Sequence, residues 1–201
     1  MTDLHDRISV SHWNASATLT GEEEAKGTVV ILPGLNYRVS LPLLFWNAAA
    51  LADDHWNVIS VDWDSRGLDV RKDPQIGVEL AKSGLEVASD FTQGNIDLLL
   101  AKSMGSLATA QAIDMGCRVV ALTPVFDQRF AHCYPLVSNG VLAIGGTGDR
   151  AWDSTIATSR GYRIYEVEGA NHSMEVPGKE SASVAILRGI VQRVVEFARG
   201  S

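Results

Sequence analysis

Short apolar runs of strand length recur through this chain, and the segments between them carry helical spacing. The runs are Thr28-Val29-Val30-Ile31-Leu32, Asn57-Val58-Ile59-Ser60-Val61, Ile96 to Ala101, Arg118-Val119-Val120-Ala121-Leu122, Val141-Leu142-Ala143-Ile144-Gly145 and Arg163-Ile164-Tyr165-Glu166-Val167. Several are continuous and β-branched with no polar alternation, the pattern of a strand buried on both faces, as in a parallel sheet covered by helices. The intervening segments supply those helices. Tyr37 to Asp54 places Leu41, Leu44, Phe45, Ala48, Leu51 and Ala52 at helical spacing, with its aromatics expected in the core. Pro74 to Phe91 offers Ile76, Leu80, Leu85 and Val87 as an inward face despite Gly77 and Gly84, and Ala151 to Arg160 and Lys179 to Arg199 follow. Strand and helix alternating over most of the length predict an α/β fold: a mostly parallel central sheet with helices on both faces.

The rest of the organisation is simpler. Residues Ile8 to Thr20 alternate loosely and are expected to form an edge hairpin, followed by a polar turn from Gly21 to Gly27. Asp62 to Gly67 reads as a polar loop, and Val125 to Ser138 as a short, poorly patterned connection. With 201 residues and no internal repeat or linker, the chain is expected to be one domain, residues 1–201, able to bury its core without disulfides or metals.

Charge and composition narrow the partners. The net charge of −7, with no Lys/Arg cluster, argues against a nucleic-acid footprint and against an anionic membrane surface. No apolar segment approaches a membrane span and the first residues, Met1 to Arg7, have no signal-like apolar core, so a cytoplasmic location is expected. Cys117 and Cys133 are too few for a metal site or a disulfide framework and read as free thiols.

The chemistry-bearing stretch is Ala101-Lys102-Ser103-Met104-Gly105, which follows an apolar run and precedes a helix-like segment. Strand, sharp turn and helix with a serine at the apex require small residues two before and two after it, so that strand and helix can approach; Ala101 and Gly105 satisfy this. A serine nucleophile then needs a base and a carboxylate to orient that base. Gly146-Thr147-Gly148-Asp149 follows one later strand, and Gly169-Ala170-Asn171-His172 follows the last. Asp149 and His172 are thereby placed at the same sheet edge as Ser103. Asp153 competes with Asp149 for the acid role. His5, His12, His55 and His132 read as surface or packing residues, and Asp62 and Asp64 as solvated loop residues or substrate contacts.

From about Thr28 to the C-terminus the chain resembles the α/β-hydrolases, and among them the small lidless members similar to dienelactone hydrolases and short esterases. The resemblance rests on Leu32-Pro33-Gly34-Leu35, the Ser103 elbow, Gly-Thr-Gly-Asp149, Gly-Ala-Asn-His172 and the chain order Ser, Asp, His. It implies a serine hydrolase of small soluble esters, lactones or thioesters, working through an acyl-enzyme on Ser103 without cofactor or metal. It also implies an oxyanion hole from the backbone N–H groups of Leu35 and Met104. Pro33 stands where many relatives carry histidine, Lys102 precedes the nucleophile where families vary, and residues 123–140 are too short for a lid. Two other readings compete. Gly146-Thr147-Gly148-Asp149-Arg150-Ala151 fits the glycine pattern of a dinucleotide site formally, and the fold also serves non-catalytic binding or scaffolding proteins.

Overall fold

The protein's structure, a computed structural model, describes residues 4–13 and 25–200. Its strands are β1 (Ile8–His12), β2 (Thr28–Leu32), β3 (Asn57–Trp63), β4 (Leu98–Lys102), β5 (Arg118–Leu122), β6 (Val141–Gly146) and β7 (Arg163–Val167). Its α-helices are α1 (Pro42–Asp53), α2 (Pro74–Phe91), α3 (Thr109–Asp114), α4 (Ser154–Ser159) and α5 (Glu180–Ala198). The strands form one sheet in the order β1-β3-β2-β4-β5-β6-β7, parallel throughout except for β1.

Period-two alternation sorts the fully buried strands into two layers. Val30 and Leu32 of β2 enter one core with Val78, Ala81 and Leu85 of α2. Val29 and Ile31 enter the other with Leu44, Ala48 and Leu51 of α1 and Ile190 and Val194 of α5. This arrangement is the predicted α/β sandwich. From β2 the chain crosses to β3 on one side and then to β4 on the other, so the strand order reverses at β2. The connections leaving the carboxyl ends of β2 and β4 diverge there, which opens a crevice at that edge of the sheet.

Several expectations are corrected. The N-terminal strand does not pair with a sequence neighbour among the described residues: β1 runs antiparallel to β3, with Ile8 opposite Trp63 and His12 opposite Ile59. The returning arm of the expected hairpin, residues 14–20, lies outside the described residues, as does most of the polar turn. Pairing with β1 also carries β3 through Asp62 and Trp63, which had read as loop. The first helix starts at Pro42 rather than Tyr37, since proline suits the first helical position, where no N–H is needed. Its packed side is Leu43, Leu44, Asn47, Ala48 and Leu51, which leaves Trp46 54% exposed. Phe45, also exposed, meets Trp46 and Trp13 edge to face. In α2 the glycines lie on the buried face rather than interrupting it. A Cβ on Gly84 would sit 3.2 Å from the Trp63 ring and 3.3 Å from Leu32, so its absence lets the helix approach the sheet closely.

Candidate active site

β4 ends at Lys102, and the chain turns directly into a 3-10 helix, Ser103–Ala108, that leads into α3. Ser103 sits at the apex with φ of +51°, in the left-handed region that costs a residue bearing a Cβ about 1 kcal/mol or more. The small neighbours explain how so tight a turn packs. Ala101 is wholly buried, and a Cβ on Gly105 would fall 2.7 Å from the Pro33 carbonyl oxygen and 2.8 Å from that of Leu32. The Ser106 hydroxyl donates to the Ser103 carbonyl and shares a 2.8 Å hydrogen bond with Tyr134, whose hydroxyl also accepts from the Val125 N–H. Tyr134 thus fastens the connection after β5 to the elbow, a role that its position in an unpatterned stretch did not reveal.

The loops after β6 and β7 bring the other two residues to Ser103. His172 Nε2 lies 2.7 Å from Ser103 Oγ, and His172 Nδ1 lies 2.6 Å from Asp149 Oδ2. The Asp149 side chain is almost wholly buried. Burial pushes its carboxyl upward, but hydrogen bonds from His172 and the Ala151 N–H, together with the charges of His172 and Lys102, outweigh this and hold it below the ordinary carboxylate range. An ionised carboxylate only accepts, so Nδ1 carries the proton and Nε2 is left to accept from the Ser103 hydroxyl. Asn171 shapes the turn beneath the histidine: its Oδ1 accepts from the Ser173 and Glu175 N–H groups at 2.9 and 3.0 Å.

The competing residues lie elsewhere. Asp153 caps α4, accepting from the Thr155 N–H and hydroxyl and from the Ile156 N–H. His12 stacks on Phe91, His5 meets Glu86 at 3.7 Å, and His132 is exposed on the 3-10 helix Gln128–Cys133. Asp64 pairs with Arg66. Burial pushes the thiols of Cys117 and Cys133 up to about 11, which removes them as nucleophiles at neutral pH. Among the described residues no cluster of His, Cys, Asp and Glu could hold a metal ion, and no helix is long and apolar enough to cross a membrane.

The glycines of the dinucleotide-like motif face protein. A Cβ on Gly146 would stand 2.2 Å from the Ala170 carbonyl oxygen, and one on Gly148 would stand 2.8 Å from that of Gly169. Their smallness serves the contact between the Asp149 and His172 loops, and no room is left for a pyrophosphate against those backbones.

Ser103 opens into a cavity of about 340 Å³ walled by Leu35, Val70, Pro74, Leu107, Val125 and Phe130, with Met104 beside the serine. The connection after β5 therefore supplies part of the wall, although it is too short to form a lid. The Leu35 N–H makes no backbone hydrogen bond among the described residues. Met104 is the second residue of its helical turn, where the N–H has no partner within the helix. A larger cavity of about 580 Å³ lies on the other side of Leu35, lined by Arg7, Arg38, Asp62 and Arg66 among others, and does not reach Ser103.

No family model matches the chain, and no curated protein matches it in sequence. Solved structures match over nearly its whole length. An α/β serine hydrolase homologue from Coxiella burnetii superposes with a TM-score of 0.63 at 15% identity, covering 92% of this chain and 90% of that one. A lidless α/β serine hydrolase from Xanthomonas campestris gives 0.63 at 14% identity, covering 94% and 88%. Est1E from Butyrivibrio proteoclasticus, with ferulic acid bound, gives 0.64 at 13% identity, covering 94% and 96%. At such identities the likeness is one of fold.

Proposed function

We propose that this chain, which has the α/β-hydrolase fold, is a serine hydrolase that cleaves small carboxylic esters, lactones or thioesters through an acyl-enzyme on Ser103. The observation that carries the reading is the continuous relay from Asp149 through His172 to Ser103, with contacts of 2.6 and 2.7 Å, on a strained turn at the carboxyl edge of the sheet. In this reading Ser103 Oγ attacks the acyl carbon as its proton passes to His172 Nε2. The tetrahedral oxyanion is stabilised by the N–H groups of Leu35 and Met104, charge that develops only in the transition state. Collapse expels the leaving group, which takes the proton from His172. Water, deprotonated by the same nitrogen, then attacks the acyl-enzyme; the second tetrahedral adduct collapses by breaking the acyl–Oγ bond, Ser103 Oγ regains its proton from His172 Nε2, and the acid is released. Asp149 remains ionised throughout, fixing the tautomer and supporting the imidazolium. None of these steps calls on a cofactor or a metal.

Substrate size follows from the cavity. A space of about 340 Å³, walled mostly by apolar side chains with Arg71 and Arg129 also in its lining and open to solvent, suits a modest acyl or alcohol group and a soluble substrate. The bound ferulic acid of Est1E is a carboxylic acid, the product class that this chemistry releases. The test is pre-steady-state hydrolysis of p-nitrophenyl acetate and butyrate. A burst of p-nitrophenol stoichiometric with enzyme, with a matching acyl mass increment on the peptide containing Ser103, is expected. Absence of both turnover and increment in folded protein would replace this reading by a non-catalytic binding role.

A further inference from the structure

Lys102 stands immediately before the nucleophile and is only 1% exposed. Its position at the end of a strand gives no hint of this, and the burial needs an explanation. Removing an ammonium from water costs several kcal/mol unless hydrogen bonds and opposite charge compensate, and among the described residues no carboxylate is hydrogen-bonded to this one. Its partners belong to the loops of the site. Lys102 Nζ donates to the His172 carbonyl oxygen at 3.1 Å and to the Thr123 hydroxyl at 3.2 Å, and lies 4.5 Å from the centre of the Tyr37 ring. Tyr37 closes the turn that carries Leu35: its carbonyl accepts from the Gly34 N–H at 3.1 Å, and its hydroxyl anchors the start of α1 by accepting from the Leu43 N–H. The stem of the lysine passes under Gly34, where an added Cβ would stand 3.8 Å from Lys102 Cδ. One side chain therefore touches the base loop, the end of β5 and the turn bearing the first oxyanion donor, from beneath the serine.

We propose that Lys102 is a positioning residue whose protonated amine ties the His172 loop to the Leu35 turn, holding the base and the oxyanion donors in register with Ser103. This rests on the serine-hydrolase reading above. The charged form is the one that binds a carbonyl oxygen, a hydroxyl oxygen and an aromatic face together. Burial depresses Lys102 to about 8, opposed by the carboxylate of Asp149. Among the described residues the groups facing it are that carboxylate, the Tyr37 ring, the Thr123 hydroxyl and the His172 carbonyl, and the charge of Glu175 acts on Tyr37. The sign follows directly. Activity falls as pH passes about 8 and the ammonium is lost.

The test compares wild type with Lys102→Met and Thr123→Val, using p-nitrophenyl acetate, with active sites counted by fluorophosphonate titration. Lys102→Met keeps an unbranched apolar stem, one atom shorter, without the charge. We expect its kcat to fall about 10- to 100-fold, with KM within about threefold, because misplacement of the reacting groups costs transition-state rather than ground-state binding. Its basic limb, the fall above about pH 8, should vanish. Thr123→Val is isosteric and removes one acceptor; its basic limb should move to lower pH with a smaller loss of kcat, which keeps the proposal testable should Lys102→Met fail to fold. A purely structural lysine would lower the melting temperature without altering the pH profile of the titrated sites. Folded variants with wild-type kcat and an unchanged basic limb would overturn the proposal. Absence of turnover in the wild type, by contrast, would overturn the hydrolase reading itself.

Discussion

Ser103→Ala is expected to lower kcat by about five to six orders of magnitude, to the residual rate that binding and oxyanion donors sustain alone. The loss is this large because, in the proposed mechanism, the hydroxyl that bonds His172 Nε2 forms the acyl-enzyme. The nearest alternative, the Ser106 hydroxyl, is fully buried and engaged with Tyr134 and the Ser103 carbonyl. Stability should change little. Alanine keeps the Cβ, so the turn at φ of +51° carries the same strain, and the hydroxyl lost belongs to a partly buried residue and is bonded only to His172 among the described residues. The comparison needs kcat on an activated ester and a melting curve on the same preparations. A residual rate within tenfold of wild type would reject Ser103 as the nucleophile.

Asp149→Asn comes next in size, with an expected loss of about 10⁴-fold in kcat. The substitution preserves shape and can keep the acceptor bond from the Ala151 N–H, 2.9 Å from Oδ1. What changes is the group facing His172 Nδ1. If the amide oxygen keeps the Ala151 bond, its NH2 points at the ring, so Nδ1 must accept and Nε2 must carry the proton. An Nε2–H cannot take the Ser103 proton, and the base is switched off without being moved. The expected pattern is a fall in kcat with KM nearly constant. Asp153→Asn serves as the control and should leave kcat within about twofold, since its carboxylate is spent on the start of α4. A kcat for Asp149→Asn within tenfold of wild type, or an equal loss in Asp153→Asn, would contradict the assignment of the acid.

The residues show why some features were legible in the sequence. β2 and β5 match their apolar runs end for end, because a strand buried on both faces has no polar alternation to obscure it. That Ser103, Asp149 and His172 come together was readable because each lies on the connection that follows a strand, and topology delivers strand ends of a parallel sheet to one edge. Features set by distant partners were not legible. β1 pairs with a strand some fifty positions later, and that pairing also extends β3 through the polar Asp62. Lys102 looks like a solvated lysine until the His172 carbonyl, 70 positions away, and Thr123 are folded against it. Phe45 and Trp46 fit a helical pattern, but only the docking of α1 decides which side of that helix meets the sheet. Asp149 stands nearer its strand end than Asp153, which favours it from sequence; that Asp153 is engaged in capping α4 emerges only in the fold.

The central claim is that His172 and Asp149 activate Ser103 toward acyl-like electrophiles. The most direct measurement is labelling with a fluorophosphonate probe followed by peptide mapping, on wild type, Ser103→Ala and His172→Ala. The account predicts a single modification at Ser103 in wild type, none in Ser103→Ala and labelling slowed by orders of magnitude in His172→Ala. Modification of another residue, or labelling of Ser103 at equal rates with and without His172, would contradict it.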